Sequence, residues 1–221
     1  MRGLSFSFLG LAVRPLIALP VLAMMAAPLW ADTVWVQSDA TNVGASVASA
    51  SDPRLFSGDT SGLTFTAVGT DNEGTFTAPP PGSPLGTIVV QVPPECGYYC
   101  GQSGFVETTF TLPTGFFDPS LTGAGNVDDW GYVFLNGNLI SPELTEFGNI
   151  GFSTSDAAYF LPGVNTLVIS DSNAGGGPSG VAFYADVNYS TVPEPGSVFL
   201  LGSGLLGLVG LVRRKIGKNA S

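Results

Sequence analysis

Histidine is absent from the 221 residues, only seven are Lys or Arg, and only two are Cys. Each shortage excludes a kind of chemistry. Without His there is no imidazole general base and no His-ligated zinc or iron site. Both lysines, Lys215 and Lys218, lie in the C-terminal tail, so a Schiff-base lysine and a phosphate-cradling P-loop lysine are excluded from the rest of the chain. Arg2 and Arg14 come early, Arg213 and Arg214 come late, and Arg54 is the one base between Asp32 and Glu194, the span that holds all 17 acidic residues. The overall net charge is −10, and residues 32 to 192 alone set 16 acids against that single Arg. Nucleic-acid affinity comes mostly from Lys and Arg displacing counterions from phosphates. DNA and RNA are therefore excluded as partners.

What is abundant is Gly, at 30 residues, with 17 Pro and many Thr, Ser and Asn. Such a chain favours short strands joined by turns over helices. The two ends differ from the middle. Residues 1 to 31 read as a secretory signal: Arg2 and Arg14, then the apolar run PLIALPVLAMMAAPLW, then Ala31 before Asp32. Pro15, Pro20 and Pro28 interrupt the run, which argues against a retained membrane anchor. Export would place Cys96 and Cys100, in PECGYYCG, in an oxidising compartment. A small loop-shaping disulfide contributing roughly 2 kcal/mol is favoured there over a metal pair, because two thiolates alone do not complete a zinc site.

At the other end, residues 193 to 221 combine Pro193, Glu194 and Pro195 with an uncharged run from Gly196 to Val212 and a basic cluster at Arg213, Arg214, Lys215 and Lys218. The run predicts a transmembrane helix over 196–212 held by the basic tail on the cytoplasmic side. The order of these elements is similar to the PEP-CTERM sorting signal of Gram-negative bacteria that make exopolysaccharide. The resemblance implies recognition of Pro193-Glu194-Pro195 by a membrane enzyme, exosortase. It also implies transient residence in the inner membrane, removal of the helix, and release or transfer to the cell surface.

Between the ends, residues 32 to 192 suit one domain. Strand-like runs recur at 33–37, 62–67, 74–78, 86–92, 105–112, 130–140, 157–161, 164–170 and 180–190, which predicts an all-β antiparallel sandwich. In the last run Val181, Phe183, Ala185, Val187 and Tyr189 alternate with Ala182, Tyr184, Asp186 and Asn188, the period of a strand with one buried face. Asn136-Gly137 predicts a two-residue hairpin turn, since both positions need positive φ. GNVDDWGYVFLNGNLI and FLPGVNTLVISDSNAGGGPSGVAFYADVNY, within residues 120 to 190, resemble the later strands of galactose-binding-like jelly-roll domains. The resemblance implies a jelly-roll fold, with Asn136, Gly137, Gly163, Asn165 and Leu167 in folding roles.

Candidate sites follow from residue chemistry. Asp128 and Asp129 beside Trp130 combine carboxylates that hydrogen-bond sugar hydroxyls with an aromatic face that stacks on a sugar ring. The alternative is that Trp130 packs the core and the acids are solvated turn residues. Tyr98 and Tyr99, on the loop between the cysteines, offer a second aromatic surface. Ca²⁺ is the cofactor this composition permits, and Asp171 and Asn173 in SDSNAGG are candidate ligands, as is the DNEG segment at 71–74; neither is an EF-hand loop. Glycosidases need two carboxylates roughly 5 to 10 Å apart, a condition that some pair among sixteen acids meets by chance. Three functions remain: a non-catalytic module that associates with extracellular polysaccharide, a structural matrix protein without a specific ligand, and a carboxylate glycan hydrolase.

Overall fold

The computed structural model describes residues 30–39, 41, 43–67, 79–84, 87, 90–91, 103–146, 148–173, 179–191 and 201–210. Ala31 to Thr191 form one compact unit, built from two large antiparallel sheets and a further two-stranded one. In the first, β1 (Trp30–Gln37), β13 (Gly180–Thr191), β6 (Phe117–Val127) and β11 (Ile150–Thr154) lie side by side, and β4 (Val90–Gln91) pairs with the start of β13. In the second the order is β3 (Thr66–Ala67), β2 (Val43–Ala48), β5 (Ser103–Leu112), β12 (Gly163–Asp171), β8 (Val133–Leu135) and β9 (Asn138–Leu139). The expected antiparallel sandwich is the fold.

Alternation along the strands makes the core. Val106, Leu112, Leu167, Ile169, Val133 and Leu135 from the second sheet meet Leu121, Val127, Val181, Phe183, Ala185 and Val187 from the first in a single buried cluster. The one-faced pattern read in β13 holds from Phe183 to Asn188, with Asn188 exposed and Tyr184 and Asp186 half-buried on the other side, whereas Ala182, expected on that outer face, is fully buried and Tyr189, expected inside, is only half-buried. The opposite face of the second sheet is also covered: Phe105, Phe134 and Val168 pack against Leu55, which a 3₁₀ turn at Pro53–Phe56 lays across the sheet. That turn is capped by Asp52, whose carboxylate holds Arg54 at 2.6 Å. Such an ion pair near the surface is screened by solvent and contributes little, whereas complete burial of a Leu contributes about 1.5–3 kcal/mol. Leu55 therefore anchors the segment, and it leaves the neighbouring Phe56 exposed.

The hairpin read at Asn136-Gly137 forms with φ +49° and +79°. Asn136 does more than turn the chain. Its Nδ2 donates to Asn165 Oδ1 and to the Tyr159 carbonyl, both at 2.8 Å, and its Oδ1 accepts from the Thr166 N–H at 2.9 Å. Asn165, fully buried, in turn accepts from the Leu161 N–H and donates to the Leu161 and Gly163 carbonyls. Two Asn side chains thus fasten the hairpin to β12.

Several expectations differ from the structure. Residues 157–161 are not a strand. Ala157–Tyr159 form a 3₁₀ turn because the Asp156 carboxylate accepts from the Ala158 N–H at 3.0 Å and caps it. Of 62–67 only Thr66–Ala67 is strand. Conversely, β6 was not legible, although it lies between β13 and β11. Pro119 is tolerated in it because pairing with β13 shifts register between Asn188 and Ser190, so the missing N–H falls at a bulge. Residues 201–210 are helical, the rest of the expected 196–212 lies outside the described residues, and among the described residues no helix is long and apolar enough to cross a membrane.

Candidate functional site

The functional candidates converge where β6 ends. Val127 is the last residue of β6, Asp128 and Asp129 follow, and the chain then enters β7 (Trp130–Gly131). This two-residue strand pairs with β10 (Leu144–Thr145), with Thr145 opposite Trp130 and Leu144 opposite Gly131. One step further along the ladder sets Glu146 across from Asp129. On its other edge β7 meets the end of β12: the Trp130 and Asp129 N–H groups donate to the Ser172 carbonyl, and the Ser172 N–H donates to the Trp130 carbonyl at 2.8 Å. The approach is close because residue 131 is Gly; a Cβ there would collide with the Ser170 carbonyl oxygen.

The result is a concentration of carboxylates. Asp128, Asp129 and Glu146 each place an oxygen within 4.8 Å of the others. Asp128 is only 6% exposed, while Asp129 and Glu146 are half-buried. Burial, followed by the charges of Asp129 and Glu146, pushes the Asp128 carboxyl up to about 7. Asp171, the last residue of β12, lies fully buried nearby. Burial raises its carboxyl well above the usual range, the charges of Asp128 and Asp129 add to the effect, and a hydrogen bond with Ser179 opposes it. Ser179 Oγ donates to the Asp128 carbonyl at 2.5 Å and is also in hydrogen-bond contact with Asp171 Oδ2. A hydroxyl has one proton, so both contacts are satisfied together when Asp171 is itself protonated. Its Oδ1 has no partner.

Beside the acids lies an aromatic surface. Trp130 is half-buried, its ring 5.2 Å from that of Phe56 and 6.0 Å, edge-on, from that of Tyr132; Phe56 and Tyr132 are 6.1 Å apart. Tyr132 donates its hydroxyl to Glu143 Oε2 at 3.0 Å. Trp130 is therefore neither a core residue nor an isolated surface ring, since one side packs against its neighbours and the other remains accessible. Of the residues singled out in the sequence, Asp128, Asp129, Trp130 and Asp171 come together here. Asn173 is buried, and its backbone N–H donates to Ser103 Oγ at 3.1 Å. Tyr132 joins the site two residues beyond Trp130, and Glu143, Glu146 and Phe56 join it from other parts of the chain. Tyr98, Tyr99, Cys96, Cys100, the segment 71–74 and Pro193-Glu194-Pro195 lie outside the described residues.

Residues 191–215 match the PEP-CTERM protein-sorting motif, in agreement with the resemblance carried by Pro193-Glu194-Pro195, the apolar run and the basic cluster. The match supports an exported, surface-sorted protein and implies processing by an exosortase-type enzyme. No curated protein matches the chain. Among solved structures it is similar to a β-glucuronidase from Ruminococcus gnavus in complex with an N1-substituted uronic isofagomine, at 17% identity over 73% of this chain and 30% of that one, with a TM-score of 0.43. The apo enzyme from the same organism gives 15% identity, 73% and 29% coverage, and a TM-score of 0.41. The chain spans less than a third of the length of these enzymes.

Proposed function

We propose that the protein is an exported, non-catalytic module of galactose-binding-like jelly-roll type that associates with extracellular polysaccharide at the surface of a Gram-negative bacterium. In this reading it passes through the inner membrane by its C-terminal segment. The observation that carries the ligand class is the accessible aromatic surface of Phe56, Trp130 and Tyr132 beside half-buried carboxylates. Rings present a flat apolar face to the C–H side of a sugar, and the acids accept from its hydroxyls. Asp128, whose carboxyl is raised to about 7, has the protonation of a general acid, but it is only 6% exposed, and this reading gives it a structural role. The acidic field also favours neutral or cationic polymers over strongly anionic ones.

The test is retention of the full chain on immobilised polysaccharides, with product analysis on any polymer that binds. Retention without cleavage is expected. No retention on any polymer would leave a structural matrix protein, and released oligosaccharides would establish a hydrolase. Sorting has its own test. Protein recovered from the native host should lack both ends, with an intact mass near that of residues 32 to about 194. A mass that retains residues 197–218 would leave a tail-anchored protein.

A further inference from the structure

Two Asn-x-Ser triplets occur in the chain, Asn188-Tyr189-Ser190 and Asn219-Ala220-Ser221. The second lies in the basic tail, which its positive charge assigns to the cytoplasmic side. The first lies in the domain that export carries across the membrane. An Asn followed two residues later by Ser or Thr is the acceptor pattern for N-linked glycans in exported proteins. Asn188 is exposed, on the outer face of β13. Its Oδ1 accepts from the Thr33 hydroxyl at 2.7 Å, and because the amide is planar this bond turns Nδ2, the atom that carries such a glycan, away from Thr33. Pairing of β13 with β6 shifts register between Asn188 and Ser190, so the ladder is interrupted at the triplet itself. A second observation concerns the neighbouring strand. The Ser38 N–H donates to the Phe183 carbonyl at 2.9 Å, and these two residues are equally far along their strands from Thr33 and Asn188. Thr33 therefore faces Asn188, and Trp35 lies on the same outer face, at the diagonal distance of about 7–8 Å. Its ring is 59% exposed, a large apolar surface that the described residues leave uncovered beside the acceptor.

We propose that Asn188 is an N-glycosylation site, modified with an oligosaccharide as the exported chain crosses the membrane, and that Trp35 packs against the first sugar. Modification there depends on the export proposed above and not on polysaccharide binding. The donor is an oligosaccharide carried on a polyprenyl pyrophosphate. Asn188 Nδ2 forms a bond to the anomeric carbon, the bond from that carbon to the pyrophosphate oxygen breaks, the lipid pyrophosphate leaves with the electron pair, and one amide proton is released. No oxidant or reductant takes part. A transferase reads an extended segment, in which Asp186 and Ser190 project to the same side as Asn188. One enzyme surface thus meets a carboxylate, the acceptor amide and a hydroxyl together. Transfer precedes pairing of β13, and β13 is the last strand of the sandwich to emerge, so the triplet is open to an enzyme before the sheet closes on it. In the folded protein the modified Asn188 keeps its Oδ1 for Thr33, so the glycan displaces no bond of the sandwich. Its first sugar turns a C–H face to the exposed indole, the contact that aromatic rings make with sugars.

The experiment uses protein recovered from the native host. Electron-transfer fragmentation of peptides that contain Asn188 should locate a saccharide on that residue, added to the mass of the trimmed chain. Asn188→Gln and Ser190→Ala should each abolish the addition, whereas Ser190→Thr should keep it. The glycosylated protein should melt about 2–4 °C above Ser190→Ala, the effect of one stacking contact in a domain of this size, and that difference should vanish when Trp35→Ala is introduced into both. Unmodified Asn188 in the wild-type protein, or a saccharide that persists there in Ser190→Ala, would overturn the assignment. If Asn188 is unmodified, residues 1–31 still attached trace the failure to export, and trimmed ends trace it to the site. An equal midpoint difference with and without the indole would overturn the role given to Trp35.

Discussion

In the absence of divalent cations the thermal midpoint of the protein should fall by about 5–10 °C as the pH is raised from about 4 to about 8. The carboxyl of Asp128 is held at about 7 in the folded chain, and that of Asp171 is raised as well, while both return to the ordinary carboxylate range on unfolding. Through that window the folded state keeps protons that the unfolded state releases. Stability is then fully present below the unfolded value and is lost as the pH passes the folded one. A rise from the ordinary carboxylate range to about 7 corresponds to an upper limit of about 4 kcal/mol. Glu107 and Asp186, both raised by burial, act in the same direction. Asp52 and Asp59 are lowered through their bonds to Arg54 and Ser61, and their opposite effect is confined below the ordinary carboxylate range. A midpoint that stays flat or rises from acid to neutral pH would show that the cluster is solvated. Differential scanning calorimetry in EDTA across this range is sufficient.

The second large effect is expected at Gly131. An added Cβ would run into the Ser170 carbonyl oxygen, stand 2.8 Å from the carbonyl carbon, and lie 3.3 Å from Val127 Cγ2. Ser170 belongs to β12, which is paired to β5 along its length and to β8, so the obstacle is backbone that two neighbours hold in place. The short strand β7 has to move instead. Gly131→Ala should therefore destabilise the protein by about 2–3 kcal/mol, the upper part of the range for overpacking. It should also perturb Trp130 fluorescence and separate Asp129 from Glu146. Gly151→Ala is the control: its Cβ would meet only the Gly123 carbonyl oxygen, at 3.9 Å, and the cost should stay below about 1 kcal/mol. Equal losses in the two variants, measured by denaturant unfolding, would show that β7 does not depend on the close approach.

What could be read in the sequence was whatever had a local cause. The strand β13 shows its two-residue period, and Asn136-Gly137 has the only chemistry suited to two consecutive positive φ values in that turn. The Asp128-Asp129-Trp130 triplet was visible because its members are adjacent. Central strand β6 was hidden by Pro119, Gly123 and Gly125, residues that local propensity assigns to loops; Gly123 is needed because the Phe152 ring and the Tyr184 carbonyl occupy the space a Cβ would take. Residues 157–161 looked like a strand from their aromatic and Leu content, yet a single Asp156 cap decides for a 3₁₀ turn. Glu146 and Phe56 could not have been assigned to the site. One arrives through a two-residue ladder between β7 and β10, and the other through a turn whose position is set by Leu55 packing on the outer face of the second sheet. Both are consequences of tertiary packing with no periodic signature in the chain.

Binding of the Trp130→Ala variant to a polysaccharide that retains the wild-type chain tests the proposed function most directly. Trp35, 59% exposed on β1, provides the comparison, because its ring is accessible but stands apart from the aromatic trio. Loss of one stacking contact costs on the order of 1 kcal/mol, about a fivefold drop in affinity. The account predicts that drop or a larger one for Trp130→Ala, with the sandwich still folded by circular dichroism, and unchanged binding for Trp35→Ala. Wild-type affinity in folded Trp130→Ala, or an equal loss in both variants, would contradict it.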